Sequence, residues 1–206
     1  MIGKAELEKM LLAMAEDIHE GKAELSRLDS NGNHGTNMDR GFQAVVRKMP
    51  ELMQKDDLGE ILHDVGMILI GSVGGSSGPL FGTMFLRAGM VCKGHDTIDA
   101  QTFALSCQAA ELGVAEVGMS AEGDKTLLDA LCPAHRALQK SLTEGKSLAE
   151  ALAAAVEAAE KGVEYTKTIV ANKGRASYLG ERSLGHPDPG AVSMLLMLKA
   201  TLRAWS

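Results

Sequence analysis

The chain has 206 residues, a formal net charge of −6, and 45% hydrophobic but only 3% aromatic residues. That length fits one domain with a substantial core. The acidic balance argues against a nucleic-acid partner, which would need a basic face, and the shortage of aromatics favours helices over sheets.

The first 21 residues, MIGKAELEKMLLAMAEDIHEG, carry charges throughout and contain no small-residue cleavage site. They read as a helix and not as a signal peptide. Leu7, Leu11, Met14, Ile18 and Leu25 form one stripe of an amphipathic helix over 4–28. After the turn Asp29–Gly35, Thr36 or Asn37 is placed to cap a second helix reaching about Met49, ended by Pro50. A third, about 57–72, sets Leu58, Ile61, Leu62, Val65 and Leu69 on one side. The string GSVGGSSGP, Gly71–Pro79, cannot be mid-helix, because each glycine there costs about 1 kcal/mol relative to alanine. A fourth helix follows from about Pro79 to Cys92, and Asp96 or Thr97 caps a fifth over 98–116. The break Val117–Thr126 leads to a sixth, about 126–142. Ser147 and Glu150 form a capping box opening a seventh helix that extends to about Asn172.

Lys173–Val192, KGRASYLGERSLGHPDPGAV, is a long polar stretch of a kind that is uncommon in a compact domain unless it binds something. It closes with Asp188 as an N-cap and Pro189 as the first helical position. The last helix, Ala191–Ala204, is apolar around most of its circumference and is expected at the centre. Cys92, Cys107 and Cys132 show no CxxC spacing and are expected as buried free thiols. The longest apolar runs fall far short of a membrane span, so the protein is expected to be cytoplasmic with no membrane association.

Eight helices with mostly short connections imply an all-α, antiparallel up-and-down bundle or barrel. Strict alternation then places the connections after the first, third, fifth and seventh helices at the same end. These are 29–35, 71–79, 117–126 and 173–190, which include every glycine-rich break.

Gly74–Gly78 precedes a helix start, where successive N–H groups and the helix dipole suit a phosphate. The alternative is a plain turn between helices, and the spacing of a P-loop is absent. Asp29, Asn31 and Asn33 alternate, so their oxygens could converge on a hard cation. The segment fails as a calcium loop, however, and an ordinary Asx turn accounts for it equally well. His34 could serve as metal ligand, phosphate donor or cap. Arg175 and Arg182 could clamp a phosphate or salt-bridge the loop to its own helices.

Four strings together resemble a known family: HGTNMDRGF at His34–Phe42, SVGGSSGPLFGTMFLRAG at Ser72–Gly89, GDKTLLDAL at Gly123–Leu131 and KGRASYLGERSLGHPDPGA at Lys173–Ala191. They are similar to the nucleotide-binding L subunit of dihydroxyacetone kinases, equivalent to the C-terminal domain of the ATP-dependent enzymes. The likeness covers essentially the whole chain. It implies a single L-type domain over 1–206 that folds as an eight-helix barrel with the nucleotide in its mouth. It also implies bound ADP, rephosphorylated in place by a phosphohistidine protein of the sugar phosphotransferase system. The resulting ATP would pass its γ-phosphoryl group to dihydroxyacetone on a separate K subunit. By matching motif, the nucleotide contacts would be His34, Gly35, Thr36, Asn37, Ser76, Ser77, Gly123, Arg175, Asp188, Pro189 and Gly190. No side chain is required as a nucleophile.

The resemblance places Mg2+ on Asp29, Asn31 and Asn33, where the family pattern carries three aspartates in a turn three residues longer. Two lost charges imply weaker metal binding and slower transfer. A second reading follows from this departure: a non-catalytic relative that binds nucleotide weakly and acts as a regulatory or interaction protein. A purely structural bundle would leave the polar loops unexplained.

Overall fold

The computed structural model describes residues 1–205. Eight α-helices run α1 Lys4–Leu28, α2 His34–Leu52, α3 Leu58–Ser72, α4 Ser77–Cys92, α5 Ala100–Gly118, α6 Leu128–Thr143, α7 Leu148–Thr166 and α8 Pro189–Trp205. Each helix packs on the next, and α8 packs back on α1 to close a ring. The stripe of α1 (Leu7, Leu11, Met14, Ile18, Leu25) and that of α3 are both buried in the core within this ring. Among the described residues no helix is long and apolar enough to cross a membrane.

Several boundaries differ from the sequence expectation, each for a local reason. The second helix starts at His34, two residues before the expected caps. Asp29 Oδ2 accepts from the N–H groups of Asn33 and His34, both at 3.1 Å, and so ends the helix from a distance. Pro50 does not stop α2. Its missing N–H falls in the final turn, and Met53 N–H closes onto the Met49 carbonyl at 2.9 Å.

Asp99, not Asp96 or Thr97, caps α5, accepting from Thr102 N–H at 2.7 Å. Thr97–Ile98 (β2) instead pairs antiparallel with Ile2–Gly3 (β1), a small ladder that alternating periodicity could not reveal in two residues. The seventh helix ends at Thr166, six residues early. The run Thr166, Thr168, Ile169, Val170 is rich in β-branched side chains, and the carbonyls at that end are taken by other segments. The polar stretch is not irregular throughout, since Arg175–Ser183 forms 3₁₀ turns interrupted at Gly180. Finally, α8 is a stave between α1 and α7 and not a central helix; its broad apolar surface is shared between these neighbours and α6. Cys92 and Cys132 are buried free thiols as expected, whereas Cys107 is only half-buried.

Glycine sets the closest helix approach. A Cβ at Gly162 of α7 would meet the Asp129 carbonyl of α6 at an impossible 1.9 Å. Gly162→Ala is therefore expected to destabilise the fold by about 2–3 kcal/mol, read as a lower urea midpoint at unchanged slope. A neutral effect would contradict this packing.

Candidate functional site

The connections after α1, α3, α5 and α7 all meet at one rim of the ring. They enclose an open cavity of ≈ 660 Å³, within the roughly 300–1,000 Å³ range of small-molecule sites. The α4 N-terminus forms one wall. Its N-cap, Ser76, makes no side-chain capping bond, leaving first-turn N–H groups available to an anion. Gly75 adopts φ +71°, which glycine accommodates freely, and the Arg175 guanidinium lies 3.3 Å from where a Cβ would stand. Arg175 Nη1 also donates to Asn33 Oδ1 at 3.3 Å, so the turn after α1, the glycine-rich loop and the polar stretch touch at one point. Arg40 fixes the glycine-rich loop from behind, donating to the Ser72 carbonyl at 2.8 Å and to Asn37 Oδ1 at 3.1 Å.

His34 sits at the floor, 8% exposed. Its Nε2 pairs with Ser193 Oγ at 2.8 Å and its Nδ1 with Ser77 Oγ at 3.2 Å. Burial lowers the imidazole to about 4, against an opposing pull from Asp29. The ring is thus neutral near pH 7, donating through one nitrogen and accepting through the other. Asp188 heads α8 and accepts from Ala191 N–H at 2.7 Å. Desolvation dominates its environment and pushes the carboxyl up to about 7, although the Ala191 and Gly190 N–H groups and Lys125 oppose the shift.

Lys125 is the residue whose importance sequence reasoning missed. It is 2% exposed and sits at φ +62°, uncommon for a side-chain-bearing residue. Its ammonium donates to the carbonyls of Thr166 at 2.7 Å, Ile169 at 3.2 Å and Ser183 at 2.5 Å. Burial lowers its pKa, while Asp188 and Asp129 act in the opposite sense. Asp129, also buried, accepts from Gly123 N–H at 2.6 Å and Thr126 N–H at 2.7 Å, shaping the turn that carries Lys125. Ser193 was missed as well. It shares no motif with His34 and lies 159 residues away. The GDKT string was the only sequence signal for the Lys125 turn.

Of the eleven residues expected at a nucleotide, His34, Asn37, Ser76, Ser77, Arg175, Asp188, Pro189 and Gly190 line the cavity. Gly35, Thr36 and Gly123 do not. A Cβ at Gly35 would strike the Lys22 carbonyl at 2.0 Å, so this glycine allows α2 to cross α1 closely. Thr36 bonds outward to Ser26, and Gly123 shapes its turn through Asp129.

Of the three residues expected at a metal, Asp29 and Asn33 line the cavity and Asn31 does not. Asp29 is the only carboxylate among them, and its Oδ2 is engaged by two N–H groups. Asn33 Oδ1 faces Arg175 and, at 3.4 Å, Asn37 Nδ2. No group of three or more His, Cys, Asp or Glu among the described residues is arranged to hold a metal ion. This donor set does not fit a magnesium ion ligated by the turn, because magnesium favours octahedral oxygen ligation with carboxylates.

The chain that folds into this ring and cup matches a known family, the DAK2 domain. The model of that family matches residues 30–203, and the chain belongs to this family. It is 43% identical over 175 residues to the ADP-binding subunit DhaL of the PEP-dependent dihydroxyacetone kinase of Escherichia coli K12, covering 85% of this chain and 83% of that one. It is 38% identical over 192 residues to the corresponding subunit of kinase 1 of Listeria innocua, covering 91% and 90%. The crystal structure of the dihydroxyacetone kinase of C. freundii superposes with a TM-score of 0.74 at 23% identity, over 95% of this chain and 34% of that chain. The last likeness establishes the fold.

Two outcomes test the site. Lys125→Met strands three carbonyls in a buried setting and is expected to destabilise by about 3 kcal/mol in urea titration; a loss under about 1 kcal/mol would contradict the role of this ammonium. For His34, the folded value of about 4 lies below the ordinary 6.5, so between them the unfolded chain binds the extra proton. The stability contributed by the neutral ring is therefore complete above 6.5 and lost as pH falls toward 4. Between about pH 7 and pH 4.5 the Tm of the parent chain should fall more steeply than that of His34→Gln, and parallel curves would contradict it.

Proposed function

We propose that this chain is the ADP/ATP-binding subunit of a multi-component dihydroxyacetone kinase. A phosphohistidine protein of the phosphotransferase system phosphorylates bound ADP, and the ATP so formed hands its γ-phosphoryl group to dihydroxyacetone, or a related short ketose, held on a K subunit. Residues 1–206 act as one domain, and the transfer takes place in the cytoplasm. The named relatives, ADP-binding subunits of PEP-dependent dihydroxyacetone kinases, support this reading.

The observation that carries it is the convergence of the uncapped α4 N-terminus with Arg175 on one cavity. Phosphoryl transfer asks a protein chiefly for positioning and for donors on the phosphates. Here the first turn of α4 offers the N–H groups, Ser76 and Ser77 offer hydroxyls, and Arg175 offers a fork for a phosphate edge. His34 orders Ser77 from behind, and Asp188, Pro189 and Gly190 close the floor at the start of α8.

The reading as a disabled relative is not favoured, since the cup keeps its polar wall, its cations and its ordered floor. Mixing the chain with a K subunit, the phosphohistidine donor and ADP is expected to phosphorylate dihydroxyacetone at a rate proportional to this chain. Transfer that proceeds equally well without it would refute the assignment. Ser77→Ala is expected to weaken ADP binding by about tenfold in calorimetric titration, and unchanged affinity would remove this wall from the site.

A further inference from the structure

The cup is basic although the chain is acidic. Five cations line it (Arg27, Lys125, Lys173, Arg175 and Arg182) against two carboxylates, Asp29 and Asp188. Asp188 is raised to about 7, so its negative charge is only partly developed at neutral pH. Arg27 is spent on Glu24, and the Lys125 ammonium on backbone carbonyls. Among the described residues Lys173, Arg175 and Arg182 have no acidic partner, unlike most lysines and arginines of the outer surface.

The turn after α1 shows the complementary pattern. Its single carboxylate already caps α2, and the amide oxygen of Asn33 accepts from a guanidinium. A divalent ion seated on these oxygens would stand beside the Arg175 charge with one free carboxylate oxygen to offset the repulsion. Asn33 Oδ1, an oxygen that a cation held by this turn would need, is already taken by Arg175. Asn33, uncharged, acts as a positioning residue by accepting from Nη1 while the rest of the fork stays free toward Gly75 and the α4 N-terminus.

We propose that the diphosphate is neutralised in this cup by the chain's own cations, Arg175 foremost, in place of a divalent ion ligated by the 29–35 turn, so that ADP binds independently of magnesium. The inference rests on the nucleotide reading above and adds how the negative charge is met. Asparagine at 33 then matches the arginine: an aspartate there would pair with Arg175 and draw it from the phosphates.

The test is calorimetric titration of the intact chain with ADP, once with excess magnesium and once with EDTA. The dissociation constants are expected to differ by less than about fivefold, and a larger tightening by magnesium would overturn the proposal. No binding in either buffer would overturn the nucleotide reading itself, and this inference with it. Arg175→Gln is expected to weaken ADP binding by about tenfold or more in both buffers, with Arg175→Lys recovering part of the loss and Tm unchanged; full affinity in Arg175→Gln would overturn the proposal. The pair Asn31→Asp and Asn33→Asp is expected to create a magnesium dependence absent from the parent. A double variant that stays indifferent to magnesium would show that the turn does not set metal dependence, and would also overturn it.

Discussion

One buried ammonium holds the rim of this barrel together. Lys125 stands in the connection after α5 and spends its three protons on the last carbonyl of α7 and two carbonyls of the connection that follows it. A lysine with so little exposure is tolerable only when each donor is matched, and here the matching groups are the Thr166 and Ile169 carbonyls where α7 stops and the Ser183 carbonyl at the end of the 3₁₀ turns. The interaction therefore ends a helix, fixes a long polar stretch and sets the depth of the cup in one step. Asp129 prepares it by folding the Gly123–Thr126 turn around its carboxylate.

The walls of the cup follow from helix termini. The α4 start is left without a side-chain cap, whereas the α2 and α8 starts are closed by Asp29 and Asp188. Arg175 bridges the closed α2 start, through Asn33, and the Gly75 loop ahead of the open α4 start, so donors and charge gather there. Behind it, Ser193, His34 and Ser77 form a chain of side chains from α8 through α2 to α4. A neutral imidazole between two hydroxyls transmits position without introducing charge, and its burial keeps it neutral.

Much of this was legible from residues alone. The stripe of α1 and that of α3 announced two staves, and alternation of eight helices predicted that the four glycine-bearing connections share an end. Asp188 and Pro189 announced the start of α8. What escaped were features made by tertiary partners. Asp29 caps α2 across a turn, out of register with any local capping pattern. Thr97 and Ile98 leave the helix to pair with residues nearly a hundred positions earlier. Helix α8 looks central by composition but is shared among three neighbours, each covering part of its surface. Gly35 and Gly123 read as ligand contacts because they lie within motifs, yet one serves a helix crossing and the other a turn.

The central claim is that the odd-numbered connections grip a nucleoside diphosphate at one rim. Amide hydrogen exchange with and without ADP tests it most directly. The account predicts slowed exchange concentrated in 74–80 and 173–190, with the small paired strands at 2–3 and 97–98 unaffected. Protection centred on those strands, or none along the glycine-rich loop, would contradict it.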